Sequence, residues 1–133
     1  LDALELFKTE LEGHVRLSTT FRFWAGTSNL DENGQSDMKE LVEYLSNLPE
    51  GTTVTLVGFS DSIGASESNR FLSLKRAEHV EGILRQIMPD ASTQVSFQSK
   101  GFGEILPSAC NSNPLGRKTN RRVEVWISTQ TQS

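Results

Sequence analysis

Hydrophobic and polar positions alternate along this chain with two spacings, which predict helices and strands in a regular order. The spacing typical of a buried helix face places Met38, Leu41 and Leu45 together before a stop at Pro49. The same spacing predicts a short leading helix and a long central helix, over residues 1–12 and from 66 or 68 to 88. Two-residue alternation with β-branched and aromatic residues predicts four strands, over residues 15–24, 53–58, 94–99 and 122–128.

The order of these elements predicts an α+β fold of the type (α)β-αβ-αβ-β. A two-layer sandwich, with helices packed on one face of a mixed four-stranded β-sheet, would bury the apolar face of each element. Residues 100–120 are rich in Gly and Pro and predict a long loop. We expect residues 15–128 to form the domain, residues 1–14 to connect it to a missing upstream part, and residues 129–133 to be a tail.

Length and charge narrow the class of protein. The chain has 133 residues, and 13 Lys and Arg against 17 Asp and Glu give a net charge of −4, which is typical of one globular domain. Without a global basic field we expect no nucleic-acid partner. The apolar stretches are shorter than the ~20 residues of a membrane-spanning helix, so we expect no membrane insertion by this fragment. We interpret the start at Leu1, without Met, as truncation of a longer exported protein.

The long central helix carries polar residues where its buried face should continue. Its apolar stripe runs through Val80 and Leu84, but toward the N-terminus the same stripe is occupied by Asn69, Ser73 and Arg76. Polar and charged groups on a buried face are unfavourable unless they are paired. This end of the helix therefore requires an explanation that packing alone does not give.

Asp61, in the loop that precedes this helix, offers a partner for Arg76. One hypothesis is a structural ion pair that ties the loop to the helix. The other is a recessed pocket, in which the carboxylate receives a ligand ammonium and the guanidinium holds a ligand carboxylate through two parallel hydrogen bonds. The residues alone leave both hypotheses open.

Three separated motifs resemble the signature of OmpA-like C-terminal domains, which include the peptidoglycan-associated lipoprotein and the flagellar stator protein MotB. They are GFSDSIGASESNRFLSLKRAEHV at 58–80, GFGE with Pro107, and TNRRVEVWI at 119–127. The resemblance implies a non-catalytic domain that binds peptidoglycan through the diaminopimelate of its stem peptides. It further implies a place in the periplasm of a Gram-negative bacterium, where the domain anchors a larger envelope protein to the cell wall, with no metal or organic cofactor.

The resemblance also assigns site residues. The ligand-gripping Asp and Arg of the family correspond to Asp61 and Arg76. Further matching positions are Asn69, Ser73, Arg121 and Arg122, of which one of the last two is expected to border the pocket, and Ser60 takes the place of the family's Thr before the Asp. The sequence departs from the pattern at Phe59, where the family usually has His, and in the segment 24–30, which is about two residues longer. Phe59 thus removes a polar neighbour and is expected to alter ligand orientation.

Other clusters indicate weaker hypotheses. Arg117 and Lys118 extend the basic pair that follows them, which we interpret as a pocket rim or solvated surface rather than a polyanion site. His14 and His79 have no partner at metal-ligand spacing. The single Cys110 excludes an internal disulfide and leaves open an intermolecular one, and with it a homodimer. A protein-interaction or oligomerisation module on the same fold remains the alternative function.

Overall fold

The computed structural model of the protein describes residues 3–61, 66–88, 95–104 and 114–128. The elements in chain order are α1 (Ala3–Glu10), β1 (Val15–Arg22), α2 (Gly34–Leu45), β2 (Thr52–Gly58), α3 (Ser66–Ile87), β3 (Val95–Gly101), α4 (Pro114–Asn120) and β4 (Arg122–Ser128). The predicted order of strands and long helices is confirmed. The prediction of one uninterrupted loop over 100–120 is wrong, because β3 extends to Gly101 and α4 forms before β4. Pro114 is compatible with α4 because proline is favoured in the first turn of a helix.

The four strands form one mixed sheet in the order β1-β4-β2-β3. The central pair β4 and β2 is antiparallel, β1 is antiparallel to β4, and β2 is parallel to β3. The parallel pair requires a crossover, which α3 supplies. The predicted α+β class is therefore confirmed. The residues that leave the ends of β2 and β3 emerge beside the start of α3.

The main core lies between one face of the sheet and the helices α2 and α3. Strand residues with the two-residue period, such as Leu56 and Val125, meet helix residues with the helical period, such as Leu41, Val80 and Leu84. All five are fully buried. The pattern of apolar positions therefore specifies which side of each element faces the core.

The opposite face of the sheet is covered in part by α1. Phe7 packs against Phe59, Phe102 and Trp126, with ring centroids 6.1, 5.3 and 5.6 Å away. We call this packing the aromatic cluster; its members are Phe7, Leu11, Val57, Phe59, Phe102 and Trp126. The sequence placed the helices on one face and assigned no face to the leading helix. The structure shows that this helix forms a partial third layer.

Glycines at the ends of β2 and β3 bring α3 unusually close to the sheet. A Cβ atom built on Gly58 would lie 1.9 Å from the backbone oxygen of Ser73, and one on Gly101 would lie 2.5 Å from the backbone nitrogen of Leu74. Neither distance is compatible with a side chain. The first half of α3 therefore sits directly on the backbone of the strand ends, which fixes the position of its polar residues.

Within the described ranges, no helix is both long and apolar enough to cross a bilayer. No three His, Cys, Asp or Glu side chains of those ranges are grouped so that they could hold a metal ion.

Candidate functional site

Polar residues from four parts of the chain converge on a recess of about 340 Å³ beside the C-terminal end of β2. The recess is lined by Ala25, Gly26, Ser60, Asp61, Asn69, Leu72, Arg76, Arg117 and Arg121. They come from the loop after β1, the residues after β2, the first half of α3, and α4 with the residue that follows it. The volume is at the lower end of the range of small-molecule sites.

Asp61 is held by Arg121. One carboxylate oxygen accepts a hydrogen bond of 2.9 Å from Nη1 of Arg121, and both side chains are about nine-tenths buried. Arg121 also donates from Nε to the carbonyl oxygen of Phe23 at 3.0 Å. Arg121 therefore fixes the position of the carboxylate of Asp61 at the recess.

Arg76 lies on the floor of the recess with its side chain fully buried. It donates hydrogen bonds to three backbone carbonyls, those of Thr27 at 2.8 Å, Phe59 at 3.3 Å and Trp24 at 3.4 Å. Two of these acceptors belong to the loop after β1. Arg76 therefore ties α3 to the loop after β1 through carbonyl oxygens, whereas the structural hypothesis had been an ion pair with Asp61 that ties the loop after β2 to the helix.

The same surroundings lower the pKa of Arg76 to about 10. Burial is the main cause, because it penalises the charged form, and the nearby positive charge of Arg121 is the second. Asp61 acts in the opposite direction. At neutral pH the guanidinium remains protonated, and it contributes a desolvated positive charge to the recess.

Asn69 presents an unsatisfied donor. Its side chain is only 6% exposed, and its Nδ2 is buried without a hydrogen-bond partner within the described part of the chain. Buried amide groups are normally hydrogen-bonded, so an unpaired one that lines a recess suggests a missing acceptor. The first turns of α3 thus place an N–H donor in the same recess as Arg76.

Ser60 and Ser73, both predicted as site residues, use their hydroxyl groups in hydrogen bonds to the backbone. Ser73 lies outside the lining of the recess, and its fully buried hydroxyl donates to the carbonyl of Arg70 at 2.7 Å and accepts from the N–H of Gly103 at 2.9 Å. Ser60 lines the recess, and its hydroxyl donates to the carbonyl of Asp61. Ser73 therefore connects α3 to the segment after β3 and does not contact the recess.

Of the two neighbouring arginines, Arg121 borders the recess and Arg122 does not. Strand alternation places Arg122 on the face that carries the aromatic cluster, where its Nε donates to Glu124 at 2.8 Å. Trp126 donates to the other oxygen of the same carboxylate at 3.0 Å. The sequence had left open which of the two arginines borders the pocket; in this structure Arg122 forms a buried ion pair on the opposite side of the sheet.

Phe59 occupies the same opposite face. Its ring is 1% exposed, packs in the aromatic cluster, and lies 3.9 Å from the guanidinium carbon of Arg122. Leu56 faces the main core, so alternation directs Val57 and Phe59 to the other side. The expectation that Phe59 alters ligand orientation by removing a polar neighbour is not supported, since its side chain does not line the recess.

Two further parts of the chain line the recess. Arg117 of α4 is one of them, and the sequence had left a pocket rim and a solvated surface open for its basic cluster. The lengthened loop after β1 also contributes a wall, through Ala25 and Gly26, where Gly26 adopts a positive φ of 68°. The run of Gly and polar residues there predicted a turn, but no sequence pattern indicated that Arg76 would bind its backbone carbonyls.

Two other residues singled out in the sequence lie away from the recess or outside the described residues. His79 is exposed on α3, and Cys110 lies outside the described residues.

Comparison with known proteins gives a consistent family assignment. The chain is 33% identical over 118 residues to outer membrane porin F of Pseudomonas fluorescens, a match that covers 89% of this chain and 35% of the porin. The chain thus spans about a third of the length of that relative. Its fold is similar to the C-terminal domain of Helicobacter pylori MotB, with a TM-score of 0.69, 27% identity and 84% of each chain covered.

A second solved structure has the same fold at lower identity. The peptidoglycan-associated lipoprotein of Burkholderia pseudomallei superimposes with a TM-score of 0.69 at 23% identity, covering 84% of this chain and 91% of that one. The model of the OmpA family matches residues 22–121, which include all of the described residues that line the recess. The resemblance of the three motifs is therefore confirmed, and the chain belongs to the OmpA family.

Proposed function

We propose that this chain is a non-catalytic peptidoglycan-binding domain that grips the diaminopimelate of stem peptides and anchors a larger envelope protein to the cell wall. The observation that carries the proposal is the recess, where a carboxylate, buried guanidinium groups and an unsatisfied amide donor converge. Family membership supports it, as does the shared fold with a protein that is named for its association with peptidoglycan.

The proposed ligand matches the recess chemically. The free end of diaminopimelate carries an ammonium and a carboxylate on one carbon. In the proposed complex the ammonium donates to the carboxylate of Asp61, which lines the recess and is held in position by Arg121. The ligand carboxylate accepts from Nδ2 of Asn69, which has no other acceptor in the described residues, and from the guanidinium of Arg76.

Arg76 must adjust for this contact, since its side chain is fully buried. Its bond to the carbonyl of Trp24, at 3.4 Å, is the longest of the three that it makes. A charge-assisted bond to a carboxylate is stronger than a bond to a neutral carbonyl. The ligand carboxylate therefore replaces the Trp24 carbonyl as the acceptor, while the bonds to Thr27 and Phe59 keep the guanidinium in place.

The proposed function involves no bond breaking and no cofactor. One amino-acid head group buries little surface, so we expect the affinity of a single site to be modest. Many copies of the ligand on one polymer raise the avidity of a protein that carries several such domains. Because peptidoglycan lies between the two membranes of a Gram-negative cell, the proposed location is the periplasm.

The test is co-sedimentation with sacculi that contain diaminopimelate, competed by free diaminopimelate. Asp61→Asn keeps the shape of the side chain and removes the ammonium acceptor, and we expect at least a tenfold loss of bound protein. Glu40→Gln is the matched control, because Glu40 is an exposed carboxylate on α2 that does not line the recess. Retention of binding by Asp61→Asn, or absence of binding by the wild type, would contradict the proposal.

A further inference from the structure

The loop after β1 contains a turn over residues 24–29, and the side chain of Thr27 lies at its centre. The hydroxyl of Thr27 donates to the carbonyl of Trp24 at 3.0 Å and accepts from the N–H of Asn29 at 3.1 Å. The backbone closes the same turn, because Thr27 also donates from its N–H to the carbonyl of Trp24, at 3.2 Å. Ala25 and Gly26, which line the recess, lie within this turn. Thr27 therefore shapes a wall of the recess without being among the described residues that line it.

Arg76 binds two carbonyls of this turn, and the two bonds differ in quality. Its Nε donates to the carbonyl of Thr27 at 2.8 Å, a distance typical of a charged donor. Its Nη2 donates to the carbonyl of Trp24 at 3.4 Å, which is longer than the upper limit of about 3.2 Å for an ordinary N–H···O bond. The guanidinium is therefore held firmly at Nε and loosely at Nη2.

The surroundings of the Trp24 carbonyl explain the weak bond. This oxygen faces three donors, namely the hydroxyl and the N–H of Thr27 at 3.0 and 3.2 Å and Nη2 of Arg76 at 3.4 Å. A carbonyl oxygen has two lone pairs, and the two nearer donors from Thr27 are enough to satisfy it. Nη2 of Arg76 is therefore a surplus donor at this oxygen, and a stronger acceptor can replace the carbonyl at little cost.

The surplus matters for the exchange of acceptors in the proposed complex, where a ligand carboxylate replaces the carbonyl of Trp24 at Arg76. Such an exchange is unfavourable when it leaves a carbonyl without a donor, because an unsatisfied polar group in a desolvated site costs free energy. Here the carbonyl of Trp24 keeps both donors from Thr27. The bond from Nε to the carbonyl of Thr27 meanwhile keeps the guanidinium at the recess.

We propose that Thr27 is a positioning residue for ligand binding: its hydroxyl satisfies the carbonyl of Trp24 and so makes Nη2 of Arg76 available to the carboxylate of an amino-acid ligand. This inference rests on the proposed function and deepens it, since it names the atom of Arg76 that changes its acceptor and the residue that makes the change favourable. Without the hydroxyl, the carbonyl of Trp24 has only one donor from Thr27. Nη2 of Arg76 then becomes its second donor, and the carbonyl competes with the ligand.

The experiment measures affinity for free diaminopimelate by calorimetry at neutral pH, at a temperature below the unfolding transition of every variant. Thr27→Val keeps the shape of the side chain and removes the hydroxyl, and we expect it to weaken binding at least threefold relative to the wild type. Thr27→Ser retains the hydroxyl and should bind within twofold of the wild type. If Thr27→Ser binds as weakly as Thr27→Val, the methyl group rather than the hydroxyl is responsible, and the inference is overturned.

Thr52 provides a matched control at the opposite end of β2 from the recess. Its hydroxyl and its N–H both donate to the carbonyl of Pro49, three residues back, at 2.7 and 3.3 Å, which is the arrangement of Thr27 with Trp24. Thr52→Val therefore removes an equivalent hydrogen bond away from Arg76 and should bind diaminopimelate within twofold of the wild type. A loss of affinity in Thr52→Val equal to that in Thr27→Val would show general destabilisation and contradict the assigned role.

The outcomes separate this inference from the proposed function. Equal affinity of the wild type and Thr27→Val, with binding intact in both, would overturn the role of Thr27 alone. Absence of binding by the wild type would overturn the proposed function itself. Because Thr27 is only half-buried, we expect Thr27→Val to fold. Should it not fold, Thr27→Ala removes the same hydroxyl and should show the same loss of at least threefold.

Discussion

Asp61, in the segment that follows β2, and Arg121, which directly precedes β4, form a buried ion pair with a nitrogen–oxygen distance of 2.9 Å. The sequence had suggested a structural pair between Asp61 and Arg76 as one of two hypotheses. In the structure Arg76 is instead hydrogen-bonded to three backbone carbonyls. The two arginines thus have different tasks: Arg121 holds the carboxylate in place, and Arg76 holds the loop that forms one wall of the recess.

The close contact at Gly58 predicts that the shape of the recess depends on the absence of a side chain at this position. Gly58→Ala would place a Cβ atom 1.9 Å from the backbone oxygen of Ser73, so α3 must move away from the sheet. We expect a loss of about 1–3 kcal/mol in the free energy of unfolding, as for other overpacked sites. We also expect weaker binding to sacculi, since Asn69 and Arg76 move with α3. Chemical denaturation and co-sedimentation measure the two effects.

Gly82 is the matched control for this substitution. It lies on the same helix, and a Cβ atom there would have nothing within 4 Å. Gly82→Ala should raise the free energy of unfolding by about 0.5–1 kcal/mol, because glycine is unfavourable within a helix. Equal stability of the two variants would contradict the close contact at Gly58.

The position of Phe59 predicts that the usual family residue would be unfavourable in this protein. Phe59→His buries a polar ring among Phe7 and Phe102, with the guanidinium of Arg122 beside it. We expect a loss of roughly 1–3 kcal/mol in the free energy of unfolding. Binding to diaminopimelate should be unchanged below the unfolding transition, because the side chain faces away from the recess. A change in affinity of more than threefold would indicate that the two faces of the sheet are coupled.

The stability of the Phe59→His variant should depend on pH in a definite direction. Burial and the positive charge of Arg122 both lower the pKa of an imidazole at position 59 below its ordinary value of about 6.5. The unfolded state then binds more protons than the folded state as the pH falls through this range. The loss of stability relative to the wild type should therefore increase as the pH falls from about 8 to about 5. Urea denaturation of the variant and the wild type at several pH values in this range measures the difference in free energy of unfolding.

The aromatic cluster predicts that α1 is held mainly by one side chain. Phe7→Ala removes three aromatic contacts and should lower the free energy of unfolding by about 1–2 kcal/mol, since Phe7 is only partly buried. Loss of the ring next to Trp126 should also change tryptophan fluorescence, and release of α1 should increase proteolytic cleavage around Gly13. Leu6→Ala is the control, because Leu6 is 41% exposed on the same helix. If both variants behave alike, α1 is not docked through Phe7.

The lowered pKa of Arg76 predicts how binding depends on pH. With a pKa of about 10, the guanidinium stays charged at neutral pH, so affinity should be flat from about pH 6 to pH 8 and fall as the pH approaches 10. Lysine has an ordinary pKa about two units lower, and the same burial lowers it further. Arg76→Lys should therefore lose affinity at a lower pH than the wild type, which calorimetry with free diaminopimelate can measure. Identical pH profiles would indicate that Arg76 does not interact with the ligand carboxylate.

The sequence by itself determined the fold class and indicated where the candidate site lies. The two periods of apolar residues assigned the strands, the long helices and the side of each that faces the main core. Asn69 and Arg76 could be recognised as inward-facing because a helix fixes the angular position of every residue. Such periodicities are properties of short segments of the chain. They can therefore be recognised without knowing what packs against each segment.

Only the tertiary structure decided which partner each polar residue has. The pairing of Asp61 with Arg121 joins residues 60 positions apart, and the hydrogen bonds of Arg76 reach 49 and 52 positions back to Thr27 and Trp24. The assignment of Phe59 to the aromatic cluster likewise required knowing where α1 docks. No local pattern encodes these partners, because they depend on how sheet order, helix contact and loop path bring distant segments together.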